Sequence, residues 1–186
     1  MSQAVIFIAD GTEECEAITI VDLLRRAGID LKTVAVKEGG ERTILSSHQV
    51  LLTCDESIKT YVPDEEEYLI IPGGMAGVSA MKKSEKLSQI LLQQAKENRG
   101  LAAICAGPTV LGGLGLLKGK KSTCYPGCEK DLGEGVKYEK EGVISDGKII
   151  TGEALGSAIS FALCLIEQMK GKEAAQRIAD QIVFRQ

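Results

Sequence analysis

Aromatic residues are scarce in this chain, which has no tryptophan, three phenylalanines and four tyrosines among its 186 residues. Few side chains are therefore available for the stacking surfaces that bind single-stranded nucleic acid. The 22 basic and 26 acidic residues give a net charge of −4, and the basic residues form no block. We therefore expect no specific nucleic-acid partner.

Long hydrophobic runs are also missing, since no apolar segment reaches the ~18 residues of a membrane-spanning helix. The first residues lack a basic segment and a cleavage site, so we expect no signal peptide and no membrane partner. The six cysteines are scattered along the chain. In a chain of this composition they indicate reduced thiols in the cytoplasm rather than a disulfide scaffold. The length fits one domain over residues 1–186.

Short apolar runs alternate with amphipathic segments. They predict strands over residues 4–9, 31–36, 68–71 and 101–104, and helices between them, one of them over 84–98. This alternation is typical of an α/β fold with a mostly parallel, doubly wound sheet. Short strands over 43–45 and 50–53 predict a β-hairpin insertion. A second hairpin is expected over 143–150, with a type I′ turn at Asp146-Gly147. Thr12 is the expected N-cap of the first helix.

The stretch Leu101-Ala-Ala-Ile-Cys-Ala-Gly-Pro108 contains the strongest functional signal. A buried strand ends at Cys105, and Gly107-Pro108 opens a helical pattern. Small neighbours suit a sharp strand-to-helix turn that exposes a nucleophile, and a helix N-terminus favours a thiolate. A buried cysteine without reactivity would be the ordinary alternative, but this context favours a reactive thiol.

Three loops follow strand ends in the predicted sheet, which places them at one edge. They are 10–16, 72–74 and the turn at Cys105. Backbone N–H groups of Gly73, Gly74 and Ala106 are candidates for an oxyanion hole. The glutamates at 13, 14 and 16 can place a carboxyl beside the sulfur. Only a protonated carboxyl can donate a hydrogen bond to a thiolate, so such a glutamate should have a raised pKa.

These residues resemble the ThiJ/PfpI superfamily, in the branch of the Parkinson-disease-associated protein deglycase. The matching motifs are Asp10-Gly-Thr-Glu-Glu-Cys-Glu-Ala17, Val21-Asp-Leu-Leu-Arg-Arg-Ala-Gly28, Ile71-Pro-Gly-Gly74, Ala102-Ala-Ile-Cys-Ala-Gly-Pro108, and Ser160-Phe-Ala-Leu163 with Gly171-Lys-Glu173. They occur in the family's order over nearly the whole chain.

The resemblance implies a flavodoxin-like three-layer sandwich, a cytoplasmic homodimer and an oxidation-prone cysteine. By motif position it makes Cys105 the nucleophile and Glu16 the buried carboxyl that bonds to it. It also implies cofactor-free conversion of methylglyoxal to lactate, or repair of glycated groups, in oxidative or carbonyl stress. In that chemistry the thiolate adds to an aldehyde, and Glu16 moves the proton.

The chain departs from the family pattern at several positions. Tyr125 stands where the branch often has a histidine before proline, and Ala106 stands where related proteases have a histidine after the cysteine. A peptidase or amidase-type hydrolase is therefore less favoured. His48 and Glu153 stand where the family's pocket has arginines. His48 is the only histidine of the chain, and an exposed or dimer-interface histidine is favoured over a catalytic one.

Two further readings stay open at this point. Cys124 and Cys128 lack a second ligand pair, so we expect no metal site there. Cys124, next to the pocket candidate Tyr125, could form a disulfide with an oxidised Cys105, although direct oxidation to a sulfinate fits the family better. The principal alternative to an enzyme is a redox sensor or chaperone that acts through oxidation of Cys105.

Overall fold

The computed structural model describes residues 3–185, and eleven strands and six α-helices are assigned within that range. The strands are β1 (Ala4–Ile8), β2 (Leu31–Ala35), β3 (Thr43–Leu45), β4 (Leu51–Thr53), β5 (Glu56–Ser57), β6 (Tyr68–Ile71), β7 (Gly100–Ile104), β8 (Lys121–Ser122), β9 (Lys137–Tyr138), β10 (Val143–Asp146) and β11 (Ile149–Gly152). The α-helices are α1 (Glu14–Arg26), α2 (Met75–Lys83), α3 (Glu85–Lys96), α4 (Pro108–Gly113), α5 (Ala158–Lys170) and α6 (Lys172–Gln181).

The central sheet has seven strands in the order β10-β11-β7-β6-β1-β2-β5. All neighbours pair in parallel except β10, which runs antiparallel to β11 at one edge. The strands β3 and β4 form a separate antiparallel hairpin. The predicted α/β fold, with a mostly parallel sheet and a hairpin insertion, is therefore confirmed.

Both faces of the sheet are buried, which explains why β1 is a continuous apolar run. Ile6 and Ile8 pack on one face with α1, α5 and α6, whereas Val5 and Phe7 pack on the other with α2, α3 and α4. These two cores make the molecule a three-layer sandwich. In such a sheet the strand ends next to a crossover reversal form a cleft, here between β1 and β6.

Three local predictions are corrected by the structure. Glu13, not Thr12, is the N-cap of α1, because its carboxylate accepts a hydrogen bond from the N–H of Glu16 at 2.6 Å. Thr12 is fully buried, and its hydroxyl accepts from the N–H of Ala9. Thr12 therefore closes the turn before the helix instead of capping it.

The second hairpin turns at residues 147 and 148, one position later than predicted, because Asp146 still pairs with Ile149. Only Gly147 has a positive φ there, +67°, which suits a type II′ turn instead of type I′. Helix α2 was not predicted, because its inner face is small and contains a glycine, with only Gly77, Val78 and Met81 buried. The third helix, α3, is shorter than the predicted 84–98, and Ser84 is its N-cap.

Within residues 3–185 there is no helix both long enough and apolar enough to cross a lipid bilayer.

Candidate active site

Cys105 lies between β7 and α4 in a strained backbone conformation. Its φ is +64°, in the left-handed region that side chains with a Cβ rarely adopt. Its N–H donates to the carbonyl of Gly152 at 2.9 Å, and its carbonyl accepts from the N–H of Tyr125 at 2.8 Å. These two bonds hold the strained residue in place, and strain of this kind is often found at active sites. The predicted sharp turn after the strand is present.

Glycine at position 107 makes this turn sterically possible. A Cβ there would lie 2.5 Å from the carbonyl oxygen of Ile71 and 2.8 Å from that of Ile104. No real Cβ approaches backbone oxygens so closely, so β6 and the turn can pack together only around a glycine. This explains the Cys-Ala-Gly pattern after β7.

Glu16 lies in the first turn of α1 and points inward, with 1% of its surface exposed. Its carboxylate oxygen Oε2 accepts a hydrogen bond from the N–H of Gly73 at 2.8 Å. The same carboxyl is hydrogen-bonded to the thiol of Cys105. Three segments that follow β1, β6 and β7 thus meet at one sulfur atom.

The backbone donors around the sulfur differ in part from the expectation. The N–H groups of Gly74 and Ala106 face the Cys105 sulfur. The N–H of Gly73 instead binds Glu16. Gly73 therefore orients the carboxyl, while Gly74 and Ala106 remain as donors at the sulfur.

No side chain fits at position 73. A Cβ there would lie 2.5 Å from the Cβ of Cys105, 2.5 Å from Oε2 of Glu16 and 2.8 Å from the sulfur. Gly74 is equally restricted, because its φ is +92° and a Cβ would lie 2.3 Å from the carbonyl oxygen of Gly11. The Pro-Gly-Gly sequence after β6 is thus required for the close approach of backbone to the Cys105–Glu16 pair.

Burial raises the pKa of Glu16 to about 7, although hydrogen bonds from Cys105 and Gly73 oppose the rise. The expected preference for a thiolate is corrected here: burial, and then the charge of Glu16, raise the pKa of Cys105 to about 12, although the N–H groups of Ala106 and Gly74 lower it. The repulsion exists only while Glu16 is ionised. The two groups are therefore coupled, and above about pH 7 they hold one proton and one negative charge between them.

His48 lies outside this pair, in the tip of the hairpin formed by β3 and β4. Its ring is largely exposed, and Nδ1 lies 2.9 Å from Oε1 of Glu14. The hydroxyl of Ser47 and the N–H of His48 both donate to Oε2 of Glu14. Burial opposes the effect of these donors, but the pKa of Glu14 still falls to about 2. His48 thus contacts the outer side of α1, while Glu16 occupies the inner side.

Tyr125 and Cys124 follow β8 and adjoin the turn at Cys105 through the backbone. The side chain of Tyr125 is 47% exposed. Cys124 is fully buried, and burial, together with the neighbouring Cys128 and acidic side chains, raises the pKa of its thiol to about 12. These surroundings disfavour a Cys124 thiolate, although its proposed disulfide with Cys105 stays a prediction.

A groove of about 890 Å³ opens beside this region, but Cys105 does not line it. Its walls come from α2, the start of α3 and the loop after β2, and they include Val36, Lys37, Ile58 and Lys83. This groove is therefore a different place from the one that the Cys105 chemistry selects.

One functional contact was not anticipated from the sequence. The carbonyl of Gly152 holds the N–H of Cys105 because β11 runs parallel to β7 and ends beside it. The sequence shows only a glycine, Gly152, at the end of a predicted strand. Its contact with Cys105 follows only once β11 is known to pair with β7.

The DJ-1/PfpI family model matches residues 2–168 of this sequence. The chain belongs to the DJ-1/PfpI family. The match covers the motifs after β1, β6 and β7 that meet at Cys105, so the family resemblance and the observed site rest on the same residues.

Individual relatives cover almost the whole chain. Protein dj-1beta of Drosophila melanogaster is 38% identical over 177 residues, which are 95% of this chain and 94% of the relative. Its crystal structure matches all of both chains with a TM-score of 0.94 at 34% identity. The glutathione-independent glyoxalase DJ-1 of Schizosaccharomyces pombe is 30% identical, over 93% of this chain and 94% of its own. A structure of Toxoplasma gondii DJ-1 described as oxidized is 33% identical, covers both chains fully and has a TM-score of 0.93.

Proposed function

We propose that the chain is a cofactor-independent glyoxalase that acts on methylglyoxal-type aldehydes through Cys105 and Glu16. The observation that carries the proposal is the hydrogen-bonded pair of a thiol and a buried carboxyl whose pKa is raised to about 7. Such a carboxyl can both accept and donate a proton near neutral pH. The S. pombe relative, which is described as a glutathione-independent glyoxalase, supports the same activity.

The reaction begins when Glu16 takes the proton of the Cys105 thiol and the resulting thiolate adds to the aldehyde carbon, which forms a carbon–sulfur bond and leaves a negative oxygen. The N–H groups of Gly74 and Ala106 are the nearest donors for this oxygen. Glu16 donates its proton to complete the hemithioacetal. Its carboxylate is then available as a base beside the reacting carbons.

In the next step Glu16 removes the proton of the former aldehyde carbon and returns it to the adjacent ketone carbon, while the hydroxyl proton of the hemithioacetal passes to the ketone oxygen. The former aldehyde carbon becomes a thioester, and the ketone becomes an alcohol. Water then cleaves the thioester and releases lactate and the free thiol. One carbon is oxidised and its neighbour reduced, so the sum is the aldehyde plus one water, and no external electron carrier takes part.

The test is lactate formation from methylglyoxal by the full chain with all cofactors omitted. We expect Cys105→Ser to abolish turnover and Glu16→Gln to reduce it about 10²- to 10⁴-fold. Cys164→Ser and Glu167→Gln on α5 are matched controls, because they remove a thiol and a carboxyl away from the pair. Full activity of the Cys105→Ser variant would refute the proposal.

A redox sensor or chaperone is the second candidate. Cys105 is partly exposed, and its sulfur faces two backbone donors, which would also stabilise the oxygens of an oxidised sulfur. The oxidized form of the T. gondii relative supports this candidate. Trace turnover combined with rapid oxidation of Cys105 by peroxide would favour it over the enzyme.

Intact-mass analysis after mild peroxide treatment identifies the product. Two added oxygen atoms that are absent in Cys105→Ser indicate a sulfinate. Loss of two hydrogens indicates a disulfide, and its absence in Cys124→Ser would identify Cys124 as the partner.

The proposal also includes a cytoplasmic homodimer with a role in carbonyl or oxidative stress, and deglycase activity on glycated groups. Exposed apolar side chains on α1 and the neighbouring hairpin, Ile18, Val50 and Leu51, support an interface on this side of the molecule. Sedimentation of the full chain tests the dimer. A monomer at micromolar concentration would contradict it.

A further inference from the structure

Glu13 contacts two parts of the Cys105 site that are far apart in the sequence. Its N–H donates to the carbonyl of Gly73 at 3.0 Å, and its carboxylate oxygen Oε2 accepts from the N–H of Glu16 at 2.6 Å. The N–H of Gly73 in turn donates to Oε2 of Glu16 at 2.8 Å. The three hydrogen bonds form a closed ring, which joins the start of α1 to the loop after β6.

The ring determines the direction of the Glu16 side chain. Glu16 stands three residues after the N-cap Glu13, and a glutamate at this position often turns back to accept from the N–H of the N-cap residue. Here that N–H already donates to the carbonyl of Gly73. The carboxyl of Glu16 instead binds the N–H of Gly73 and the thiol of Cys105. The bond from Glu13 to Gly73 therefore directs the carboxyl towards the sulfur.

The backbone of Glu13 also packs closely on the next residue of the loop after β6. A Cβ at Gly74 would lie 2.5 Å from the backbone nitrogen of Glu13, so the two backbones are in direct contact. The N–H of Gly74 faces the sulfur of Cys105. A shift of Glu13 would therefore move a donor at the sulfur as well as the carboxyl of Glu16.

The carboxylate of Glu13 also acts on Glu16 through its negative charge. Burial is the main cause of the raised pKa of Glu16, and the charge of Glu13 adds to it. The other titratable groups that interact with Glu16 are the thiols of Cys105 and Cys15. The charge of Glu13, followed by burial, raises the pKa of Cys15, so this thiol is neutral near pH 7. The loop after β6 contributes an uncharged N–H, that of Gly73.

We propose that Glu13 is a positioning residue of the Cys105 site, which holds Glu16 and the loop after β6 in the arrangement for proton transfer and adds a fixed negative charge beside Glu16. Glu13 acts through Glu16 and Gly73 and does not itself react. Its effect on turnover rests on the proposed glyoxalase function, whereas its effect on the reactivity of Cys105 can be measured without a substrate.

The first test separates this role from ordinary helix capping. Glu13→Ala removes the N-cap of α1 and opens the ring, whereas Ser84→Ala removes the N-cap of α3 and leaves the ring intact. Both variants should lose a similar amount of stability. At a temperature where both stay folded, Glu13→Ala should lose about 10²-fold in methylglyoxal turnover and Ser84→Ala should lose none. Equal turnover in the two variants would overturn the proposal.

The second test isolates the charge of Glu13. In Glu13→Gln the side chain can still accept a hydrogen bond from the N–H of Glu16, but it has no negative charge. The pH midpoint at which iodoacetamide alkylation of Cys105 rises should therefore fall below the parent value near 7. Glu14→Gln is the matched control in the same helical turn, because Glu14 binds the hairpin instead, and its midpoint should equal that of the parent. An unchanged midpoint in Glu13→Gln would overturn the proposal.

The two measurements also distinguish a failure of this proposal from a failure of the glyoxalase proposal. If the parent chain shows no methylglyoxal turnover, the glyoxalase proposal fails. The alkylation midpoints of Glu13→Gln and Glu14→Gln would still decide the role of Glu13, because alkylation requires only the thiolate of Cys105.

Discussion

Glu14 and Glu16 stand two residues apart in the same turn of α1, yet their environments are opposite. Glu14 receives hydrogen bonds from the hairpin, and its pKa falls to about 2. Glu16 points into the core against Cys105, and burial raises its pKa to about 7. The same type of side chain is thus a fixed anion at position 14, on one side of the helix, and an exchangeable proton carrier at position 16, on the other.

The contrast shows what determines the role of each glutamate. Water and hydrogen-bond donors stabilise a carboxylate, whereas loss of water destabilises it unless enough donors replace the lost contacts. Glu16 has the N–H of Gly73 and the Cys105 thiol as partners. These two are too few to offset its burial, so the proton remains available for the thiol.

The largest expected difference between the two glutamates is in catalysis. Glu16→Gln should reduce methylglyoxal turnover about 10²- to 10⁴-fold, because glutamine cannot move a proton. It should also abolish a rise of activity with pH centred near 7 in the parent chain. Glu14→Gln should leave the turnover within about twofold, which pH–rate profiles of both variants would measure. Equal losses of turnover in Glu16→Gln and Glu14→Gln would contradict the different roles assigned to the two glutamates.

The stability of the two sides should depend on pH with opposite signs. The pKa of Glu16 in the folded chain lies above its usual 4.5, so its contribution to the free energy of unfolding is full below pH 4.5 and is lost as the pH rises to about 7. The rise of the pKa from 4.5 to about 7 corresponds to about 3 kcal/mol. For Glu14, whose folded pKa is lowered to about 2, the contribution is present above pH 4.5 and is lost as the pH falls.

Urea unfolding at about pH 5 and about pH 8 measures this effect. The free energy of unfolding of Glu16→Gln, minus that of the parent chain, should be larger at the higher pH than at the lower pH by up to about 3 kcal/mol. If the free energy of unfolding had the same pH dependence in the parent chain and in Glu16→Gln, the pKa of Glu16 would not be raised by folding.

Gly73→Ala tests the close approach of backbone to the pair. The added Cβ would lie 2.5 Å from both Oε2 of Glu16 and the Cβ of Cys105, so it must displace one of them. We expect a loss of about 1–3 kcal/mol in the free energy of unfolding, together with reduced turnover. Gly113→Ala is the control, because a Cβ there has no neighbour within 4 Å. Wild-type turnover in Gly73→Ala would contradict the packing described.

His48→Ala should have the smallest effect on catalysis. The ring is mostly exposed and contacts Glu14 instead of Cys105 or Glu16. We expect methylglyoxal turnover within about twofold of the parent value, as for most surface substitutions. A loss of two orders of magnitude would instead assign His48 to the catalytic machinery.

Much of the fold could be predicted from the sequence because the core strands are short apolar runs with clear ends. The buried position of Glu16 was implied by the family resemblance, and in the structure Glu16, Ile20 and Leu24 share the buried side of α1. The elbow at Cys105 was indicated by its small neighbours, and glycine at 107 is explained by the approach of Ile71.

Other features depend on contacts that sequence patterns do not contain. Glu14 and His48 are 34 residues apart, and only the docking of the hairpin on α1 brings them together. The choice of Glu13 over Thr12 as N-cap depends on Thr12 being drawn inward to the N–H of Ala9. The donation of Gly73 to Glu16 instead of the sulfur likewise depends on the direction of one N–H group.

The central claim is that Cys105 and Glu16 lose their first proton near pH 7 and then hold one proton and one negative charge between them. The rate at which iodoacetamide alkylates Cys105, measured across the pH range, tests it directly, since only the thiolate reacts. The account predicts a rise centred near pH 7 followed by a plateau, and loss of that step in Glu16→Gln. A rate that keeps rising through the ordinary thiol range near pH 8.5, equally in both proteins, would contradict it.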